Sequence, residues 1–224
     1  MTSARDDILA TVRRSLGVTG REPTRRDIVD ERLRRAPKGV IPARGQLAGA
    51  ALIALFRAQA EAAFATVAEV ASAAAVPGAV ADFLRGHNIP AVLRFGDDPR
   101  LAAMPWGETS LEIGHGRSDG DDLTAVSHAF GGVAETGTLI MASGPENPST
   151  LNFLPDNHIV VLSAGDVAGD YETVWDKLRT AYGKGRMPRT VNMITGPSRS
   201  ADIEQTLLLG AHGPRRLHIV IVND

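Results

Sequence analysis

A series of short strand-length runs, several of them near-continuously apolar, constrains the fold of this chain more than any other feature: residues 89–95 (IPAVLRF), 110–113, 138–142, 158–163, 190–195 and 217–222. Runs of four to eight such residues between turn signals suit strands buried on both faces, as in a parallel sheet. Helical patterns lie between them. Residues 170–182 form one, with Asp170 as N-cap and Gly183 at the stop, and residues 200–209 form another, ended by Gly210. Further upstream, residues 46–75 place Leu52, Phe56, Ala63, Phe64, Val67, Val70 and Ala74 along one face. This is either one long helix or a helix that breaks near Ala65 into a short strand over 66–70. Pro77 and Gly86 bracket a short helix over 78–85. Strands alternating with helices predict an α/β fold, a mainly parallel sheet flanked by helices.

The N-terminal part reads differently. Ile8, Leu9, Val12 and Leu16 give residues 3–16 an amphipathic helical face that stops at Gly17. Residues 17–45 then hold seven arginines and one lysine among repeated glycines and prolines. Such a stretch is a solvated linker or basic arm; the alternative is a docking arm for a partner or an anionic ligand. The expected organisation is a helix and basic arm over 1–45, followed by an α/β domain over 46–224.

Composition excludes several function classes. A formal charge of −2 on 224 residues leaves no large basic footprint for nucleic acid. The chain contains no cysteine, so it holds no thiolate-bound iron–sulfur cluster, disulfide or cysteine nucleophile of its own. No stretch approaches the roughly 20 apolar residues of a spanning helix. The start, MTSARDDILATVRRSL, lacks the apolar core of a signal peptide, and a cytoplasmic location is expected. No histidine pair has helical metal-ligand spacing, and no metal is expected.

Three regions could carry chemistry. In the first, GGVAETGT runs into the strand at 138–142. Glycine turns let a backbone approach a ligand and can form anion-binding nests, so Glu135 is a candidate base or nucleophile beside Thr136, Gly137 and Thr138. The plainer alternative is a tight turn whose glutamate caps amides. The second, TGPSRSADIE, follows a strand and opens a helical pattern. Gly196, Ser198, Arg199 and Ser200 would offer donors and a positive charge to a phosphate or carboxylate, or serve only as caps. The third is the polar loop ahead of the strand at 158–163. There Asn152 and His158 are candidate ligand contacts, although a lone histidine at a strand start is often structural.

Together VAETGTLIM, ENPSTLNFLPDNHIVVL and TGPSRSADIEQTLLLGAHGPRRLHIVIV resemble the lactate utilisation protein C family, built on the LUD domain. The likeness is strong from Asp121 onward and loose before it. It implies a NagB/RpiA/CoA-transferase-like fold, and a part in oxidising L-lactate to pyruvate beside partner subunits that carry the iron–sulfur clusters. Carried over by position, the matching residues are Glu135, Thr136, Gly137 and Thr138; Asn152, Pro155 and His158; and Gly196, Pro197, Ser198, Arg199, Asp202 and Glu204. Position 200 departs from the family pattern, with serine in place of threonine; the hydroxyl is kept. Three functions follow as alternatives: an accessory subunit binding partners and a small anion, a stand-alone acyl- or proton-transfer enzyme working through Glu135 on a CoA-linked or phosphorylated substrate, and a ligand sensor without chemistry.

Overall fold

The structure, a computed structural model, describes residues 3–200 and 208–223. Its contacts divide the chain between Val40 and Ile41. In the first unit, α1 (Ala4–Leu16) starts at a reciprocal Ser3–Asp6 capping box and stops at left-handed Gly17, while α2 (Pro23–Arg35) begins with proline and ends at left-handed Ala36. Neither buries a residue. The basic arm therefore contains a helix that its glycine and proline content obscures. Proline is tolerated at a first helical position, and the arginines, glutamate and leucine after it are strong helix formers.

The second unit begins with α3 (Gly49–Ala62), β1 (Thr66–Val70), α4 (Val76–Gly86), β2 (Val92–Phe95), α5 (Pro99–Ala102) and β3 (Glu112–His115). It continues through β4 (Thr124–His128), β5 (Gly131–Val133), β6 (Thr138–Ala142), α6 (Ser149–Phe153), β7 (Asn157–Ser163) and β8 (Val167–Ala168). Last come α7 (Tyr171–Tyr182), β9 (Val191–Ile194), β10 (Arg199–Ser200), β11 (Leu208–Leu209) and β12 (Arg216–Val222). Six strands form a parallel sheet in the order β1-β12-β7-β4-β2-β3. A second sheet, β8-β5-β6-β9, is antiparallel at β5-β6 and β6-β9 and parallel at β5-β8. The expected α/β class and mainly parallel sheet hold.

The period-2 alternation of strands explains the layering. Ile159, Val161, Val220 and Val222 pack on one face of the parallel sheet against Val80, Phe83 and Leu84 of α4. Val160, Leu162, Ile219 and Ile221 face the other way, onto Phe56 and Ala60 of α3 and onto Leu139 and Met141 of β6. Ile140 points to the far side of the small sheet, where Val174 and Leu178 of α7 cover it. Asp170 caps α7 by accepting from Thr173 N at 2.8 Å. An Asp170→Ala variant is expected to lower stability by about 1 kcal/mol, read as a shift in urea midpoint at unchanged m-value.

Several elements differ from the sequence reading. The helix from residue 46 does break: α3 ends at Ala62, and β1 follows as an edge strand of the large sheet. The helix expected over 200–209 does not hold at its ends. Ser200 pairs with Leu208 in a two-stranded antiparallel ladder, and residues 201–207, with Asp202 and Glu204, lie outside the described residues. Strands β4 and β5 escaped notice because Thr124, Ser127 and His128 break the apolar pattern of one and the other is largely glycine; both are fully buried.

Candidate functional site

At the N-terminal ends of β7 and β12 a cleft of about 280 Å³ opens between α6 and the turn that follows β9. Asn152, His158, Gly196, Ser198 and Arg199 all line it, together with Thr195 and His212. The far wall is a segment folded back on itself. Ser198 N donates to Pro214 O at 2.9 Å, Gly210 N to Ser198 O at 3.0 Å, and His212 N to Ser198 Oγ at 3.3 Å. Gly196 has φ +71°, and a Cβ there would sit 2.0 Å from Ala63 O, so the turn requires glycine.

Inside the cleft the polar groups are buried and partly unpaired. His158 Nε2 lies 3.2 Å from Ser127 Oγ, which lies 3.4 Å from Asn152 Oδ1. A serine hydroxyl has one proton, and an amide oxygen can only accept. Ser127 therefore donates to Asn152 Oδ1 and accepts from His158 Nε2–H. That leaves His158 Nδ1 as an acceptor and Asn152 Nδ2 as a donor, and neither has a partner among the described residues. Burial pushes the His158 pKa down to about 3, so the ring is neutral near pH 7. A group that both donates and accepts, such as a hydroxyl, would satisfy this wall. Arg199, exposed and with its Cζ 5.1 Å from the Phe64 ring centroid, brings a positive charge to the same cleft.

Glu135 is placed elsewhere. It sits in the turn of the β5–β6 hairpin, 5% exposed, with Oε2 3.9 Å from Arg44 Nε and without a hydrogen-bond partner among the described residues. It does not line the cleft. Thr136 and Thr138 connect the two glycine turns through side-chain hydroxyls instead, while Gly137 lies between them with φ +66°. Thr138 Oγ1 lies 2.7 Å from both Thr136 Oγ1 and Thr195 Oγ1, and Tyr171 OH closes the set at 3.0 and 2.9 Å. Two of the turn amides are already taken up within the protein. Ser198 N is taken by Pro214 O, and Glu135 N by Gly169 O at 3.2 Å. Ser200 lies in β10 and is absent from the cleft lining.

Ser127 is the contact that sequence reasoning missed. It joins His158 only because β4 and β7 run parallel with Ala125 opposite His158, a register no local signal in the sequence discloses. Among the described residues no group of three or more His, Asp or Glu side chains could hold a metal ion. No helix among them is long and apolar enough to cross a membrane.

Residues 120–222 match the family model of the LUD domain. The lactate utilization protein C of Geobacillus thermodenitrificans is 30% identical over 146 residues, covering 57% of this chain and 61% of that protein. That of Bacillus subtilis is 32% identical over 93 residues, 41% of this chain and 39% of its own length. An uncharacterized protein of Neisseria meningitidis is 37% identical over 91 residues, 41% of this chain and 38% of that one. In each case the match spans less than two thirds of the relative. The crystal structure of a DUF162 family protein from Deinococcus radiodurans shares the fold, with a TM-score of 0.57 at 20% identity over 79% of this chain and 99% of that one.

Proposed function

We propose, for a LUD-domain chain of the lactate utilisation protein C family, a role as accessory subunit of a system that oxidises L-lactate to pyruvate, with a small 2-hydroxy or 2-oxo acid held in the Asn152–His158 cleft. One observation carries the ligand class: a buried acceptor and a buried donor stand without partners among the described residues, in a cleft that also holds an arginine. The hydroxyl of a 2-hydroxy acid donates to His158 Nδ1 and accepts from Asn152 Nδ2, and its carboxylate meets Arg199; the keto oxygen of a 2-oxo acid only accepts, and keeps the Asn152 and Arg199 contacts alone. Oxidation removes two electrons and two protons. A chain without cysteine has no thiolate-held cluster to take those electrons, so they pass to iron–sulfur partner subunits.

Calorimetric titration tests the ligand. L-Lactate or pyruvate is expected to bind wild type, and Arg199→Met to weaken binding roughly 10- to 100-fold, the range of a lost charge-assisted hydrogen bond. No saturable heat with either acid, or equal affinity in the variant, overturns the ligand assignment. The partner assignment is tested by reconstitution with cysteine-rich iron–sulfur subunits: lactate oxidation that proceeds equally without this chain refutes it.

A second reading rests on Glu135, whose buried Oε2 lies 3.9 Å from Arg44 Nε and has no hydrogen-bond partner among the described residues. An acyl- or proton-transfer role for that carboxylate requires that Glu135→Gln abolish turnover of a CoA-linked or phosphorylated substrate at unchanged melting temperature.

A further inference from the structure

A second cleft, of about 520 Å³, lies at the opposite ends of the strands. It is bounded by the C-terminal ends of β2 and β4 and by the loop of residues 143–147, the end at which parallel α/β sheets hold ligands. The loop is fixed in place. Asp97 N donates to Pro145 O at 3.1 Å, and Gly96 passes so close beneath that a Cβ would lie 2.3 Å from Glu146 O.

The groups around this cleft are specific. His128 is 6% exposed, and its Nδ1–H donates to Ala129 O at 2.9 Å, which leaves Nε2 as a lone-pair acceptor. Burial and then the Arg100 charge hold its pKa down, so the ring remains neutral. Asn147, 4% exposed, donates through Nδ2 to Ala142 O at 3.3 Å, and its Oδ1 has no partner among the described residues. Arg100 closes on Asp98 through bonds of 3.1 and 2.7 Å, so its charge is largely spent. Phe130 and Tyr182, ring centroids 6.1 Å apart, supply an aromatic wall. Two uncharged buried acceptors, a self-satisfied ion pair and an aromatic wall favour a flat, uncharged molecule rich in N–H donors. An anion would meet acceptors and the exposed carboxylates of Asp97 and Glu146.

We propose that this cleft is a binding site for an amino-substituted nitrogen heterocycle of the aminopurine kind, its exocyclic amine shared between His128 and Asn147. The site is separate from the Asn152–His158 cleft. His158 pairs with Ala125 at the other end of β4, so the two histidines stand about 10 Å apart along the strands. The inference does not depend on the lactate reading.

The test uses the full chain and adenosine as probe, followed by calorimetry or ligand-observed NMR. Adenosine is expected to bind saturably, and purine riboside, which lacks the exocyclic amine, to bind roughly five- to tenfold more weakly. His128→Leu is expected to erase that preference. Tyr182→Ala, a change at an exposed residue that leaves the buried acceptors intact, is expected to weaken both nucleosides together. Arg199→Met should leave adenosine binding unaltered, so failure here and failure of the lactate reading are distinguishable. Absence of saturable adenosine binding, equal affinity for the two nucleosides, or binding of putrescine in place of adenosine overturns the proposal.

Discussion

Stability is expected to fall steeply as the pH drops from 6.5 to 4, chiefly because of His158 and His218. Burial lowers the His158 pKa to about 3. Burial, reinforced by the neighbouring His87, lowers that of His218 to about 4. In the unfolded chain both titrate near 6.5. Between these values the unfolded state binds more protons than the folded one, so stability increases with pH. It is fully present above 6.5 and is withdrawn as the pH falls toward the folded-state values. Each unit of depression corresponds to about 1.4 kcal/mol, so by pH 4 the pair removes roughly 6 kcal/mol from a total of order 5–15. The surroundings explain why neither ring can charge at home: His218 stacks on Phe83 at 4.1 Å, and His158 has only Ser127 as a hydrogen-bond partner among the described residues. Thr66 Oγ1, 2.8 Å from His218 Nδ1, offsets little of this. Urea midpoints measured from pH 8 to pH 4 supply the check. Wild type should lose most of its stability across that window, and His158→Leu should flatten the slope by about half. A slope unchanged in the variant, or a flat wild-type curve, would mean that the histidine is not held neutral.

How much of this was legible in the sequence depends on range. The strands over 138–142 and 217–222 announce themselves because burial on both faces demands apolar residues at every position, and the structure places strands there. The start of α7 was equally plain, since an aspartate before a helical pattern satisfies the first amides. What the sequence hid was non-local. Asn152, His158, Ser198 and Arg199 could each be picked out from their own turn or loop, yet only the parallel register of β7 with β12 brings them to one cleft. Glu135 shows the opposite failure. Its glycine-rich setting marks it as a candidate base or nucleophile, but the β5–β6 hairpin turns its carboxylate toward Arg44 and away from the cleft that Arg199 lines. His128 and Asn147 attracted no notice, because a histidine at the end of an unrecognised strand and an asparagine in a loop carry no spacing signal.

Gly137→Ala should be among the most destabilising single substitutions in the chain, and the reason lies in α3. Gly137 has φ +66°, and a Cβ there would stand 2.3 Å from Ala60 N and 2.6 Å from Gln59 C. These are backbone atoms of a packed helix, which cannot rotate aside as a side chain would. Left-handed strain and overpacking act together, and a loss of about 3–5 kcal/mol is expected. Gly196→Ala meets the same helix end, at Ala63 O. The last turn of α3 is thus the template on which both the Glu135 hairpin and the cleft turn are set. Because a single withdrawal of that turn would relieve both clashes, the two substitutions should combine sub-additively, with a coupling of roughly 1 kcal/mol or more in a double-mutant cycle. Gly144→Ala, with no atom within 4 Å of the added methyl, is the control and should leave the urea midpoint within about 0.5 kcal/mol of wild type. Strict additivity of Gly137→Ala and Gly196→Ala would show that the hairpin and the cleft turn are seated independently, and the idea of α3 as their common support would be lost.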